Sequence, residues 1–396
     1  MTYYILPKNH AKLIIDPHIS FNTAEPYISH SLFFYLNNIK TQLINLCTEE
    51  KTFTFGQLIK LITPYEYIHS KIPNYKLSVS KLKPFSNIFY NIFEINKIIN
   101  ITDYFNHDIT SIHFGSNYLS TIEYMNIFRE FNNDIHIGIN FQNTIIDDND
   151  KQKLKNINKN SIDFLFFELD DNFYKNKNKY VLGFVKILIY LLYFQKSKGC
   201  VIIKISDVFY KPIIDAITII SSLYDKIYII KPNTTNIVSS EKYLVCKNYL
   251  LDENREKEHL IYYEALLNFI KLCDYINLNN NNIENNEIII NSLLKYDTNY
   301  YFLNKIEEFN IIIGQSQLEA YNYLINILKH KNREEKMESL KKININKCIT
   351  WCEKNGIPYN KLADKINIFV PLIKIDNEES PINIDSHIQI EDLNPV

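Results

Sequence analysis

Between about residue 80 and residue 250, apolar helical stretches alternate with short runs rich in β-branched and aromatic residues. These runs are "SIHFG", "IHIGIN", "IDFLFFEL", "CVIIKI", "KIYIIK" and "KYLVCKN". Such alternation predicts a parallel sheet with helices on both faces. Only the loop "PNTTNIVS" joins the last two runs, and it is too short to hold a crossover helix. The predicted fold is therefore an α/β sheet, mostly parallel, whose last strand runs antiparallel.

Different patterns flank this alternating segment. A helix is predicted from Leu32 to Cys47, three further helices are predicted after about residue 255, and the Asn-rich stretch Asn277–Glu287 is predicted to be a low-complexity loop between them. The predicted divisions are an N-terminal extension (1–78), the alternating core (79–254), a helical C-terminal region (255–375) and an acidic tail (376–396).

Composition narrows the range of functions. The formal net charge is -2, so a nucleic-acid surface on this chain has to be a local patch. The cysteines include no Cys-x-x-Cys pair, and we expect neither disulfides nor a metal site. Cys348 and Cys352 lie four residues apart and are interpreted as packing residues on one helix face. The most apolar helix, Val181–Phe194, contains a lysine and is too short to span a bilayer, so no membrane partner is expected.

A lysine, Lys204, ends the apolar run "CVIIKI", although burying an ammonium group is costly. If the antiparallel last strand inserts beside this run, Lys204 and Glu241 face each other at the carboxyl edge of the sheet, where open α/β folds place their sites. We therefore predict that the two side chains lie within salt-bridge range. The simpler alternatives are a lysine that reaches out to solvent and an exposed strand glutamate.

The stretch "KGCVIIKI" and the later "IYIIKPNTTNIVSSEKYLVC" resemble the signature of FtsJ-like RNA 2'-O-methyltransferases. In that family a strand ends in Lys, another ends in Lys-Pro, and Ser-x-Glu-x-Tyr precedes the last strand. The resemblance is close over residues 198–249 and weaker upstream to about residue 80. The segment "CITWCEKNGIP" is similar to the extension on FtsJ-like proteins of large DNA viruses.

The resemblance implies a Rossmann-like methyltransferase sheet that binds S-adenosyl-L-methionine and carries a Lys-Asp-Lys-Glu tetrad. Such a tetrad deprotonates a ribose 2'-hydroxyl and holds it in line with the methyl group. Lys204 matches the central lysine and Glu241 matches its carboxylate partner. The resemblance also implies capped mRNA as a partner, a capping-complex or virion protein as a further partner, and a location in the host cytoplasm or the virion.

Two tetrad positions depart from the family pattern. Glu168 stands where the family has an Asp, with Asp170 and Asp171 just beyond, and the extra methylene displaces the carboxylate. Asn91 stands where the first lysine is expected and supplies no charge. It is interpreted as ordinary helix surface.

The cofactor loop departs further from the pattern. Gly115 is present after the first strand, but Tyr118 and Leu119 fall where the family has Pro-Gly-Gly, and both are expected to crowd the pocket. Asn140 stands where an acidic residue binds the cofactor ribose, and Gly115 and Asn140 remain the candidate cofactor-binding residues. We expect weak or undetectable binding of S-adenosyl-L-methionine.

Two contacts with RNA are predicted from the same resemblance and from charge. Lys231, before Pro232, is a candidate phosphate ligand. The mildly basic segment Lys329–Lys342 is interpreted first as a solvated helix face and second as an RNA-contacting helix. Two classes of function stay open: an active RNA cap-type 2'-O-methyltransferase, or a methyltransferase fold without catalysis that binds RNA or has a structural role. The departures favour the second.

Overall fold

The computed structural model describes residues 1–9, 12–20, 25–50, 54–73, 75–129, 133–142, 145–146, 148–169, 176–279, 289–330 and 333–360. Asp170, Asp171, residues 280–287 of the Asn-rich stretch and the acidic tail (376–396) lie outside the described residues.

A seven-stranded sheet forms the centre of the chain. Its strands are β1 (Thr2–Leu6), β3 (Thr110–Phe114), β4 (Ile135–Ile139), β7 (Ile162–Glu168), β8 (Gln195–Ile205), β9 (Tyr224–Lys231) and β10 (Lys242–Tyr249). Their order across the sheet is β1-β9-β10-β8-β7-β3-β4. Strands β4, β3, β7 and β8 are parallel neighbours, and β10 runs antiparallel between β8 and β9. The predicted α/β, Rossmann-like fold with an antiparallel last strand is confirmed.

Helices and smaller strands complete the molecule. The helices are α1 (His30–Glu50), α2 (Phe55–Ile62), α3 (Ile88–Ile99), α4 (Tyr118–Phe128), α5 (Asp148–Lys155), α6 (Lys177–Phe194), α7 (Lys211–Leu223), α8 (Glu253–Asn279), α9 (Tyr300–Leu328) and α10 (Arg333–Asn355), with 3-10 turns at Glu66–Ile68 and Thr102–Tyr104. Two strand pairs lie outside the main sheet: β2 (Ile15–Ser20) with β11 (Ile289–Leu294), and β5 (Phe141–Gln142) with β6 (Ile145–Ile146).

The two faces of the sheet bury two different cores. Alternate side chains of a strand point to opposite faces, so Leu165 and Phe167 of β7 pack with α6 and α7, whereas Phe164 and Phe166 pack with α3, α4 and α10. All seven residues of β7 are buried, as expected for a central strand covered on both sides. By the same alternation, Lys204 of β8 and Glu168 of β7 belong to the α3 face.

The terminal regions are built into this core. Strand β1 pairs with the sheet edge at β9, and β11 pairs with β2, although the sequence predicted only helices after residue 255. Cys348 and Cys352 of α10 are fully buried with free thiols, as expected of packing residues. The division of the chain into segments 1–78, 79–254, 255–375 and 376–396 remains a prediction. In the part of the chain described, every helix is either too short or too polar to cross a membrane.

Candidate site at the carboxyl edge of the sheet

Lys204 and Glu168 form a buried ion pair at the carboxyl edge of the sheet. The two residues are opposite each other in the parallel register of β8 and β7. Lys204 Nζ donates to Glu168 Oε1 at 2.9 Å, and the side chains are only 10% and 3% exposed. The pair thus follows directly from the strand register, and it resolves the question that a buried strand-end lysine raises.

The Glu168 carboxylate also holds the loop that follows β3. Its Oε2 accepts the backbone N–H of Asn117 at 3.1 Å, and its Oε1 accepts the Asn117 side-chain amide at 3.0 Å. Gly115 in the same loop has φ +144°, and a Cβ added there would lie 2.6 Å from Glu168 Cβ. Gly115 is therefore needed to make room for the Glu168 side chain as well as for its own backbone conformation.

Asn91, Glu241 and Tyr243 form a second, adjoining cluster. Asn91 Nδ2 donates to Glu241 Oε1 at 3.1 Å and to the Tyr243 hydroxyl at 3.0 Å, and the Tyr243 hydroxyl donates to the same Oε1 at 2.6 Å. Asn91 Oδ1 accepts from the Thr234 hydroxyl at 2.7 Å. Asn91 is fully buried, so its interpretation as helix surface is wrong. A side-chain amide satisfied on both ends can be buried at little cost.

Lys204 and Glu241 share one face of the sheet, but the predicted ion pair between them is not formed. Tyr243 is the residue opposite Lys204, and Glu241 lies two residues before it, ahead of the first residue of β10. Among the described residues, Glu168 is the carboxylate within 4.0 Å of Lys204, while Glu241 acts on it at longer range. The Glu241 carboxylate is instead held by Asn91 and Tyr243.

The charges around Lys204 favour its protonated form. Burial alone lowers the pKa of Lys204, but the carboxylates of Glu241 and Glu168 more than offset the burial, so the pKa stands above its ordinary value. One ammonium and two carboxylates give the cluster a formal charge of -1, and Asn91 adds no cation. A lysine in these surroundings is suited to donating hydrogen bonds and poorly suited to accepting a proton.

Lys231 is buried and organises the loop between β9 and β10. Its ammonium donates to the backbone carbonyls of Asn236, Ser239 and Glu241 at 3.2, 2.7 and 2.9 Å. Three acceptors match the three donors of an ammonium group. Burial lowers the pKa of Lys231 to about 7. The predicted phosphate contact of Lys231 remains a prediction, and it would require at least one of these carbonyl bonds to be exchanged.

The ring of Tyr118, the first residue of α4, packs closely on strand β4. A Cβ added to Gly138 of β4 would lie 2.1 Å from Tyr118 Cε2, which means that the Tyr118 ring lies directly on that glycine. Leu119 is 44% exposed, and the predicted crowding of the pocket beside Gly115 by Tyr118 and Leu119 remains a prediction. The two residues begin a helix, where successive side chains point in directions about 100° apart.

Asn140 shows one feature that suits a bound ribose. Its backbone N–H donates to Asp150 Oδ2 at 2.9 Å, and its buried side-chain Oδ1 has no hydrogen-bond partner among the described residues. A Rossmann-like sheet of this kind suggests a cofactor such as S-adenosyl-L-methionine in general. Two side chains nevertheless lie close to glycines of this region: Glu168 packs against Gly115, and Tyr118 packs against Gly138.

Sequence reasoning missed three residues of the site: Asn117, Thr234 and Tyr243. Tyr243 was part of the Ser-x-Glu-x-Tyr signature, and its alternation with Glu241 would have placed both on the face of Lys204. Asn117 and Thr234 lie in loops, and their sequence neighbours carry no signal that would have indicated these contacts.

The sheet order, the antiparallel strand and the polar cluster at the carboxyl edge are consistent with the Rossmann-like methyltransferase class. No protein-family model matches the chain. A 53-residue segment, 13% of the chain, is 42% identical to the cap-specific mRNA (nucleoside-2'-O-)-methyltransferase 1 of Trypanosoma cruzi (strain CL Brener). The match spans 14% of that protein's length, so it supports a methyltransferase-like relationship and carries no finer assignment.

Proposed function

We propose that this chain is a methyltransferase-fold protein that binds RNA, in particular capped mRNA, without transferring a methyl group. The same proposal includes three further points. The chain is of the FtsJ-like type of large DNA viruses, its protein partner is a capping-complex or virion protein, and its location is the host cytoplasm or the virion. Two observations support RNA as the ligand: the signature around Lys204 and Glu241, and the short segment that the chain shares with a cap-specific mRNA methyltransferase.

The observation that most supports the absence of methyl transfer is the position of the Glu168 carboxylate. It binds Lys204 at 2.9 Å and the Asn117 backbone at 3.1 Å, and so joins the ribose-activating position to the cofactor loop. Methyl transfer to a 2'-hydroxyl needs a group that accepts its proton, and a general base works best when its pKa is near the working pH. The raised pKa of Lys204 and the neutral amide of Asn91 both oppose that role.

A protonated Lys204 still suits RNA. An ammonium group at the edge of the sheet can donate to a ribose hydroxyl or a phosphate oxygen, and such contacts position a nucleic acid without chemistry. In this proposal the edge of the sheet that faces the RNA is built by Lys204, Glu168 and Glu241. The three residues have a structural role there and do not carry out the catalytic roles predicted for them.

The test combines calorimetry with S-adenosyl-L-methionine, a methyl-transfer assay on capped RNA and an RNA-binding assay. We expect no measurable heat of cofactor binding, no methyl transfer, and RNA binding that does not depend on the cofactor. Lys204→Ala is the control for the transfer assay. Robust methyl transfer by the wild-type protein that disappears in Lys204→Ala would overturn the proposal and establish the enzyme.

That enzyme, an RNA cap 2'-O-methyltransferase, is the second candidate function. Two observations favour it: Lys204 and Glu241 share one face at the carboxyl edge, and Asn140 Oδ1 is a buried acceptor without a partner among the described residues. For this candidate, Gly115 and Asn140 are the residues that would hold the cofactor.

A further inference from the structure

A groove runs between α3 and α10 on the face of the sheet that carries Lys204. It encloses about 790 Å³, and its lining extends to Met1, Tyr65 and Asn233. The α10 side of the groove is a single stripe. Its residues are direct neighbours or lie three or four positions apart, as residues along one side of a helix do: Ile343, Asn346, Lys347, Thr350, Trp351 and Lys354. The groove is therefore a surface that two helices build together.

The groove carries positive charge that acidic residues do not balance. Lys97, Lys347 and Lys354 line it, and all three are exposed. Lys97 Nζ donates to the neutral Asn355 Oδ1 at 2.6 Å, and in the part of the chain described none of the three has a carboxylate within 4.0 Å. The whole chain has a formal net charge of -2, so this local excess runs against the overall balance.

The single acidic residue of the groove lining, Glu94, is already fully engaged. Its carboxylate accepts the backbone N–H groups of Asn233 and Thr234 at 2.5 and 3.3 Å and the Trp351 indole N–H at 2.8 Å. Glu94 keeps its formal charge of -1, and the three lysines contribute +3, so the charged side chains of the lining sum to +2. The groove is thus suited to an anion.

The groove also adjoins the candidate site. Glu94 lies one helical turn after Asn91 in α3, and Thr234 contacts both of them. The loop that begins after Lys231 therefore forms a boundary shared by the groove and the polar cluster of Asn91, Glu241 and Tyr243. A chain-like ligand that contacts the edge of the sheet at that cluster could therefore continue into the groove along this loop.

We propose that this groove binds the sugar-phosphate backbone of single-stranded RNA, an inference that rests on the proposed function. Phosphates would contact Lys97, Lys347 and Lys354, and the neutral donors of Asn346 and Thr350 would bind phosphate or ribose oxygens. The half-buried Tyr65 ring at the groove offers a base a surface for stacking. Helix α10 thereby supplies one side of the RNA surface.

The proposed RNA contact on α10 lies further along the chain than the segment predicted from charge. The segment Lys329–Lys342 was the second-choice interpretation from charge alone, and its residues 331–332 lie outside the described part. The groove stripe begins one residue after that segment and ends at Lys354, near the end of α10. It has fewer lysines than the earlier segment, but its charges face a groove together with polar and aromatic groups.

The experiment compares three charge variants of the full chain. Lys97→Gln/Lys347→Gln/Lys354→Gln removes the groove charge, and the matching Arg triple variant retains it. The control, Lys155→Gln/Lys257→Gln/Lys271→Gln, removes the same charge from exposed positions on α5 and α8. Binding of a fluorescently labelled, capped single-stranded RNA of about ten nucleotides is measured by anisotropy over a range of salt concentrations, and circular dichroism verifies folding.

We expect the groove Gln variant to bind about tenfold more weakly or worse, and the Arg and control variants to bind like the wild type. Each phosphate neutralised on a single strand contributes about 0.7 to the slope of log Kd against log salt, so the groove variant should lose about 2 from that slope. Equal binding and slope in the groove and control variants would overturn this inference alone.

Two further outcomes distinguish a failure of the proposed function from a failure of the RNA assignment of the groove. If the wild-type protein does not bind the RNA, the proposed function falls and this inference falls with it. If poly-glutamate at equal charge displaces the RNA from the wild type as well as unlabelled RNA does, the groove is a site for an acidic peptide and the RNA assignment is overturned.

Discussion

Glu168 connects the end of β8 with the start of α4. Its Oε1 is bound by Lys204 at the end of β8, and its Oε2 is bound by the Asn117 backbone at the start of α4. An aspartate at this position would be one methylene shorter, so it would not reach both partners from the same backbone position. The length of the Glu168 side chain thus lets one carboxylate bind Lys204 and Asn117 while the side chain packs against Gly115.

Removing Glu168 should destabilise the protein because Lys204 would be left buried without its ion-pair partner. We expect Glu168→Ala to lower the free energy of unfolding by about 3 kcal/mol. Glu168→Gln should cost less, since the amide oxygen can still accept from Asn117. The measurement is denaturant unfolding followed by circular dichroism. Glu256→Ala, which breaks an exposed pair with Lys159, is the control and should cost less than about 1 kcal/mol. Equal effects of Glu168→Ala and Glu256→Ala would contradict the prediction.

His259 should make the protein sensitive to acid. It is buried, its Nδ1 lies 3.0 Å from the Tyr249 hydroxyl, and burial lowers its pKa to about 4. Between pH 6.5 and pH 4 the unfolded chain binds a proton at this histidine that the folded chain does not. The free energy of unfolding therefore falls as the pH falls through this window, by up to about 3 kcal/mol.

The measurement for His259 is the difference between wild type and His259→Leu in unfolding free energy at pH 7 and pH 4.5. His259→Leu loses a hydrogen bond at every pH, which lowers its unfolding free energy by the same amount at pH 7 and pH 4.5. Titration of His259 is therefore measured by how much the gap between the two proteins in unfolding free energy changes from pH 7 to pH 4.5. We expect the wild type to lose more stability than His259→Leu on acidification, while the exposed control His30→Leu follows the wild type. Parallel pH profiles for wild type and His259→Leu would contradict the assignment.

At the scale of elements, α4 packs closely on β4. Tyr118 begins α4, and its ring covers Gly138 so closely that an added Cβ would lie 2.1 Å from a ring carbon. A glycine in a strand often marks such a close approach. The position of the α4 start therefore depends on the absence of a side chain at Gly138.

A double-mutant cycle tests this contact. Gly138→Ala should lower the free energy of unfolding by about 1 to 3 kcal/mol, because the Tyr118 ring has to move out of a packed position. In a Tyr118→Ala background the added methyl group finds free space, so Gly138→Ala should cost much less there. The measurement is denaturant unfolding of the four proteins in the cycle. Costs that add without coupling would show that the ring does not rest on Gly138.

Elements with a strong local signal were predictable from the sequence, and those that depend on distant partners were not. The antiparallel insertion of β10 followed from the short loop before it, and α6 followed from its long apolar run. Strands β1 and β11 were missed because each is short and pairs with a strand far away in the sequence. Within the site, the register of β7 and β8 was implied by the fold, but the burial of Asn91 depends on Thr234 and Tyr243, which no local pattern connects to it.

At the scale of the whole molecule, the terminal regions and the sheet share one core. Strand β1 extends the sheet at β9, and α10 contributes Ile345, Cys348 and Trp351 to the apolar cluster that also holds α3. Trp351 packs edge-on against Tyr90 at 5.9 Å between ring centroids and lies 5.7 Å from Phe93. A C-terminal region attached in this way is expected to unfold together with the sheet.

Trp351 is the single tryptophan of the chain, so its fluorescence reports directly on the contact between α10 and α3. We expect its unfolding transition in denaturant to coincide with that of far-ultraviolet circular dichroism, which reports on all helices and strands. Trp351→Phe should keep the packing and lose the indole hydrogen bond to Glu94, at a cost of about 1 to 2 kcal/mol. Trp351→Ala should cost about 3 to 5 kcal/mol, because it also leaves a cavity between the two helices. A fluorescence transition at clearly lower denaturant than the circular dichroism transition would show that α10 detaches first. The predicted division near residue 255 would then correspond to an independent folding unit.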